Sequence, residues 1–156
     1  MPSVHFHCWT SSLIVIEGCC RYDPAFALTR NLFDLGRVVI DIDFDKALTC
    51  WAGQAGCEPA HLVGRFARDE IYQRHETGSI DDAEFFASLR TSLGIDLSDA
   101  QFLEGWNAIF AGEMPGIGSL LTRARMRVPL YAFSNTNSAH VKHFSQAYHY
   151  SCRFLR

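Results

Sequence analysis

"NLFDLGRVVIDIDFD", residues 31–45, holds four aspartates, Asp34, Asp41, Asp43 and Asp45, in a run that is otherwise mostly apolar. Such a run reads as buried extended chain, and buried strands rarely carry carboxylates without a reason. "RNLF" reads as a short buried strand ending at Asp34, and Gly36 breaks it. Asp45 lies just inside the next helical pattern, where its charge supports the N-terminal dipole. Asp41 and Asp43 point the same way on an extended segment, either as a pair able to bind a cation or as solvated residues on one face. Asp34 differs from all three. Two apolar residues precede it, and Leu35-Gly36 after it permits a sharp turn with exposed backbone N–H groups. Those groups could hold a phosphate against the carboxylate, which at such a strand tip serves as nucleophile, metal ligand or helix cap.

Downstream, a mostly helical stretch runs from about Phe44 to Phe110. "DKALTCWAGQAG" predicts one helix, and "EPAHLVGRFARDEIYQRHETG" one or two more, with Pro59 placed for a first turn. Asp81 and Glu84 make a capping box for "DDAEFFASLRTSLG", which Gly94 closes, and Ser98 and Gln101 make another ahead of "AQFLEGWNAIF". After Pro115, "GIGSLLTRARMR" reads as a helix, "VPLYAF" as a strand, "SNTNS" as a loop and "AHVKHFSQAYHY" as a last helix. Strand, helical insert, helix and strand together predict an α/β sheet with an inserted helical cap. In such folds the ligand sits at the carboxyl ends of the parallel strands, where Asp34 and Ser134 fall.

The chain's 156 residues suffice for one domain, or one domain with a small insert. With 14 basic and 17 acidic residues the net charge is −3, which leaves no electrostatic footprint for nucleic acid. Arg123, Arg125 and Arg127 follow an apolar helical pattern and read as a helix C-terminus. No apolar run approaches the roughly 18 residues of a membrane span. "SSLIVIEGCC" lacks a preceding Lys or Arg and is interrupted by Glu17, which argues against a secretory signal. The six cysteines form no CxxC pair, and reduced thiols in a cytoplasmic protein account for them. Residues 1–28 show no sustained period; "LIVI" is a candidate strand, and His5, His7 and Cys8 are either a weak metal grouping or an incidental tail. His140 and His143 share a helical face, with His149 following, and carry the same two alternatives.

"FDLGRVVIDIDFDKAL" resembles the first motif of the haloacid dehalogenase (HAD) superfamily of phosphohydrolases, with "RHETGSIDDAEFFASL" similar to the helical cap and "FSNTNSAH" to the second motif of its sugar-phosphatase subgroup. The register runs from Asp34, because the fifth residue, Val38, fits the motif, whereas Asp45, the fifth from Asp41, does not. The resemblance implies an incomplete HAD-like Rossmannoid core at 29–45 and 113–156, a helical cap at 46–112 and an atypical extension at 1–28. It implies Mg²⁺-dependent hydrolysis of a small phosphomonoester, a sugar phosphate, with Asp34 as the nucleophile that forms an aspartyl-phosphate. Asp34 and the Gly36 carbonyl would hold Mg²⁺; Leu35, Gly36, Ser134 and Asn135 would bind the phosphoryl group. Trp51, His75 and Trp106 are the cap residues that either choose a substrate or simply pack.

Two departures qualify that expectation. The residue two after the nucleophile is usually an Asp acting as general acid, and here it is Gly36, as in the subgroup. The third motif, a Lys, and the fourth, an acidic pair, would lie downstream of Ser134, but Arg156 ends this sequence about twenty residues on, and Lys142 comes too soon, on a helix face expected to meet solvent. The sequence therefore reads as a C-terminally truncated enzyme, catalytically poor and marginally folded. The rivals are a non-catalytic fragment that binds a phosphorylated ligand or a partner, and a helical interaction module built on the cap.

Overall fold

The 31–45 run divides into two strands with a tight turn between them. The computed structural model describes residues 5–9, 13–17 and 31–148. Its strands are β1 (His5–Trp9), β2 (Leu13–Glu17), β3 (Asn31–Asp34), β4 (Ile40–Ile42), β5 (Phe110–Glu113) and β6 (Leu130–Asn135). Its helices are α1 (Asp45–Ala55), α2 (Glu70–Glu76), α3 (Asp82–Leu93), α4 (Asp99–Asn107), α5 (Ile117–Ala124) and α6 (Ser138–Ala147), with a 3-10 turn at Pro59–His61. Of β1 and β2 the backbone alone is described, so the grouping of His5, His7 and Cys8 lies outside the described side chains. Cys19, Cys20, His149 and Cys152 lie outside the described residues altogether.

A four-stranded mixed sheet in the order β1-β2-β6-β3 forms the base of the molecule. β3 and β6 run parallel, with Asp34 opposite Phe133, while β2 pairs antiparallel on the far side of β6 and β1 pairs antiparallel with β2. The "LIVI" stretch is thus a strand, and "HFHCW" is another that its irregular pattern concealed. The expectation of two core strands with a possible third is corrected to four among the described residues. "SNTNS" is also corrected: β6 continues through Ser134 and Asn135, so the loop begins at Thr136.

The helices α1 to α4 lie between β4 and β5, which pair antiparallel with a bulge at Asp41/Ile42. Helical periodicity led the expected helix on to Phe110, but Phe110–Glu113 is a strand because it has β4 as a partner. Of the region 58–78, only α2 is an α-helix. The helix ends follow the side-chain signals. Ser98 and Gln101 form a complete capping box, the Asp81 carboxylate accepts from the Glu84 N–H, and α3 closes on Gly94 at φ 69°. α5 carries Arg123 in its last turn, as its dipole favours.

Two apolar cores result. One lies within the helical insert around Trp51, Leu62, Phe85, Phe102 and Trp106, and reaches Ala139 of α6. The other, of Leu35, Val39, Ile40, Ile117, Leu121, Leu130, Ala132 and Phe144, lies between β3, β6 and the helices α5 and α6. Ile42 and Phe110, facing one another on β4 and β5, pack against both cores. The two-stranded ribbon is therefore the apolar joint between insert and sheet, and it sets the helices above the strand tips.

Candidate active site

Because β3 and β6 are parallel neighbours, their carboxyl ends lie side by side, which brings Asp34 next to Ser134 across a sequence gap of a hundred residues. After Asp34 the chain makes one wide turn that brings Gly36 beside Ile40. The Leu35 carbonyl accepts from the N–H groups of Val39 (3.0 Å) and Ile40 (2.9 Å), and the Ile40 carbonyl accepts from the Arg37 N–H (2.7 Å). Arg37 sits at φ 61°, a left-handed conformation that costs a non-glycine residue about 1–3 kcal/mol and clusters at functional sites. Leu35, Val39 and Ile40 anchor the turn from below, each buried in the sheet core. Asp34 itself is exposed, and its Oδ1 accepts from the Gly36 N–H at 3.2 Å.

A cleft of about 310 Å³ opens above this turn. Asp34, Leu35, Gly36, Ser134 and Asn135, the five residues singled out from the sequence, all line it. Asp41 and Asp43 do not. Asp41 is exposed on β4, and the Asp43 carboxylate accepts from the Asp45 N–H (3.0 Å) where α1 begins. Trp51, His75 and Trp106 also lie outside the lining: all three are buried in the helical core, with Trp51 and Trp106 stacked at 6.5 Å and His75 on Phe85 at 4.1 Å. Lys142 is exposed on α6 and does not line the cleft.

The upper wall comes from residues that the sequence pattern did not mark. Arg68, Tyr72 and Glu76 face the cleft from α2 and the segment before it. Tyr72 and Glu76, four apart, share one face of α2, a signal visible in "RDEIYQRHE" once a facing site is known, and Arg68 joins them from just before the helix. The Arg68 guanidinium lies 4.3 Å above the Phe44 ring. Burial, with the nearby Glu76 adding to it, pushes the Tyr72 phenol up to about 12. Burial also raises the Glu76 carboxyl above its ordinary value, against the lowering influence of Asn137, His75 and Arg68.

Behind the wall, Asn137 Nδ2 donates to Glu76 Oε1 at 2.6 Å, and Asn137 Oδ1 accepts the His140 N–H at 3.0 Å as the cap of α6. His140 Nδ1 faces Asn137 Nδ2 at 3.2 Å, so it is the acceptor; Nε2 then carries the proton and donates to the Trp106 carbonyl at 3.0 Å. Desolvation takes His140 down to about 3, so the ring is neutral. One polar network thus ties α2 and α4 to α6, immediately after the strand that bears Ser134.

No family model matches the sequence. Among solved structures, the chain is similar to a HAD family enzyme of Bacteroides thetaiotaomicron in complex with magnesium and inorganic phosphate, with a TM-score of 0.64 and 28% identity over 77% of this chain. The magnesium complex of that enzyme gives 0.63 and 27% over 78%. A predicted HAD-like hydrolase of Porphyromonas gingivalis gives 0.56 at 17% identity, covering 74% of this chain and 55% of that one, a likeness of fold. The chain spans 59% of the length of the Bacteroides enzyme. With its parallel strand pair, the helices set above the strand tips and these neighbours, the chain has the HAD-like Rossmannoid α/β fold, and the Bacteroides structures it is similar to are of a HAD family enzyme.

Proposed function

We propose that this cleft is the phosphoryl-transfer site of a HAD-type phosphohydrolase acting on a small phosphomonoester, a sugar phosphate by its resemblance. The observation that carries the reading is the convergence of Asp34, the Leu35-Gly36 turn, Ser134 and Asn135 on one cleft. In this reading Asp34 attacks phosphorus, the ester bond breaks, and water then hydrolyses the aspartyl-phosphate. Ser134 and Asn135 meet the equatorial oxygens, where phosphoryl transfer needs donors, and the Gly36 N–H, which donates to Asp34 Oδ1 here, turns to them when substrate binds. The helices from 46 to 112 act as a cap that shields the reaction from water and admits only small substrates. A phosphopeptide turned over faster than any hexose phosphate would count against that part.

Magnesium, present in complexes of the Bacteroides enzyme, suits the donors on hand. The Asp34 carboxylate and the Gly36 carbonyl are hard oxygen ligands, and Mg²⁺ is ordinarily held by one or two carboxylates together with water and phosphate. Bound there, it would offset the negative charge of the phosphoryl oxygens. A second reading, phosphate binding without turnover, has one observation in its favour: Gly36 stands where the motif that this stretch resembles usually carries its general acid.

The test uses p-nitrophenyl phosphate and hexose phosphates with Mg²⁺, comparing the chain with Asp34→Asn. Turnover that Asn abolishes establishes the hydrolase. Without turnover, beryllofluoride and Mg²⁺ should still shift the resonances of Asp34, Gly36, Ser134 and Asn135 together, which establishes the binding reading. Shifts centred on Asp41 and Asp43 would refute both.

A further inference from the structure

We infer that Glu76 is the proton donor to the leaving group, taking from the helical cap the role that Gly36 leaves vacant beside the nucleophile. This assignment rests on the phosphohydrolase reading of the cleft and names the group that completes it. In-line displacement puts the leaving oxygen on the side of phosphorus away from Asp34. The proton must therefore come from another group that lines the cleft. The upper and rear walls present Arg68, Tyr72, Glu76 and His140, and Arg37 lies beside the nucleophile.

The chemistry of these groups separates them. Arg37 and Arg68 do not release a proton in the working range. Tyr72, pushed up to about 12, is a weak acid there. His140 is neutral, its Nε2–H committed to the Trp106 carbonyl and its Nδ1 facing the Asn137 amide. Ser134, Asn135 and Thr136 are hydrogen-bonding groups without an acidic proton. Glu76 remains. Partial burial raises its carboxyl above the ordinary value and so favours the acid form, while the Asn137 amide, His75 and Arg68 act against that rise.

The surrounding structure holds this carboxyl in place. Asn137 cannot turn its amide over without losing its own cap bond to the His140 N–H, so Nδ2 stays aimed at Glu76 Oε1. That bond survives both protonation states, because the carbonyl oxygen of a carboxylic acid accepts as a carboxylate does. The step balances. As Asp34 forms its bond to phosphorus and the ester P–O bond breaks, the carboxyl proton of Glu76 passes to the departing oxygen and leaves an alcohol. When water attacks the aspartyl-phosphate, it returns a proton to Glu76 and frees Asp34 and inorganic phosphate.

The deciding variant is Glu76→Gln, which keeps an oxygen to accept from Asn137 and removes the acidic proton. Where the chain shows Asp34-dependent turnover, Gln should cut kcat/KM, which reports the phosphoryl-transfer step and not the later hydrolysis, on phenyl phosphate by about 10²-fold or more. On p-nitrophenyl phosphate, whose leaving group needs little protonation, the loss in kcat/KM should stay under about tenfold. The fall in rate at high pH should also vanish in the variant. Equal losses on both substrates, or no loss, overturn the assignment. Where the chain shows no turnover, the Glu76 carboxyl is titrated by ¹³C NMR with and without inorganic phosphate. A midpoint moved upward by the anion supports the assignment. An unmoved Glu76 alongside a perturbed Asp34 overturns it while leaving the phosphate site intact. An unperturbed Asp34 overturns the reading of the cleft itself, and this assignment with it.

Discussion

At Gly105 the interior of α4 carries a residue that ordinarily costs a helix about 1 kcal/mol against alanine, and Trp51 supplies the reason. A Cβ at this position would overlap the indole ring, whose Nε1–H donates to the Phe102 carbonyl at 3.1 Å. Trp51 is fully buried and stacks on Trp106, so it has no room to retreat. Gly105→Ala should therefore destabilise by ~1–3 kcal/mol, the range of overpacked cores, despite alanine's better helix propensity. A urea midpoint equal to or above that of the parent chain would show that the two indoles do not pack as described. The same contact explains how α1 and α4 approach closely enough to bury both tryptophans.

At the scale of elements, α6 is fixed to the helical insert through a buried histidine, and this makes its docking depend on pH. His140 falls from 6.5 to about 3 in the folded chain, chiefly by desolvation. The groups that meet it are the Asn137 amide, the Trp106 carbonyl and, at longer range, His75 and His143. The unfolded chain takes up a proton below 6.5 and the folded chain does not. The stabilisation is therefore complete above 6.5 and is lost as pH falls from 6.5 towards 3. Between pH 7 and pH 4.5 the parent chain should lose about 2 kcal/mol that His140→Gln does not lose. Urea titrations at a series of pH values check this, and parallel slopes for the two proteins would exclude His140 as the source. The cysteines carry less: Cys50 and Cys57 are free thiols, and burial raises Cys50, which makes it a poor nucleophile.

Across the whole molecule, stability is unevenly shared. Among the residues whose side chains are described the helical core gathers most of the large aromatics, whereas β3 is an edge strand of the described sheet with β6 as its single neighbour. Edge strands expose unpaired backbone groups and open at low cost. Amide exchange should therefore be slowest in α1, α3 and α4, and within the sheet faster in the edge strands β1 and β3 than in β2 and β6. The strand that carries Asp34 would then be among the more easily opened parts of the sheet. Protection of β3 equal to that of α4 would show that its outer edge is covered in solution, by a second copy of the chain or by further polypeptide. Ile42 and Phe110 join the two cores, so the helices should not outlast the sheet by a wide margin of denaturant.

The local chemistry of the chain determined much of this by itself. Capping pairs such as Ser98 with Gln101 act over three residues, and glycines such as Gly94 stop helices at their own φ, so these elements were legible without any partner. Asp34 was legible for the same reason: a carboxylate after apolar residues and before Leu35-Gly36 is a local pattern. Ser134 acquired meaning from its pairing with Asp34, and the parallel register of β3 and β6 supplies that pairing. Tertiary structure alone decided the rest. Phe110–Glu113 is a strand because β4 lies beside it, and "HFHCW" is one because it pairs with β2. Arg68, Tyr72 and Glu76 belong to the cleft because the β4–β5 ribbon sets α2 above the strand tips, a placement that no window of sequence contains. His140 could have been a surface ligand by its spacing; burial against Trp106 and Asn137 made it a structural, neutral ring instead. Period and capping are properties of neighbouring residues. Pairing, burial and the facing of two walls depend on contacts between residues far apart in the chain, and only the folded molecule sets those.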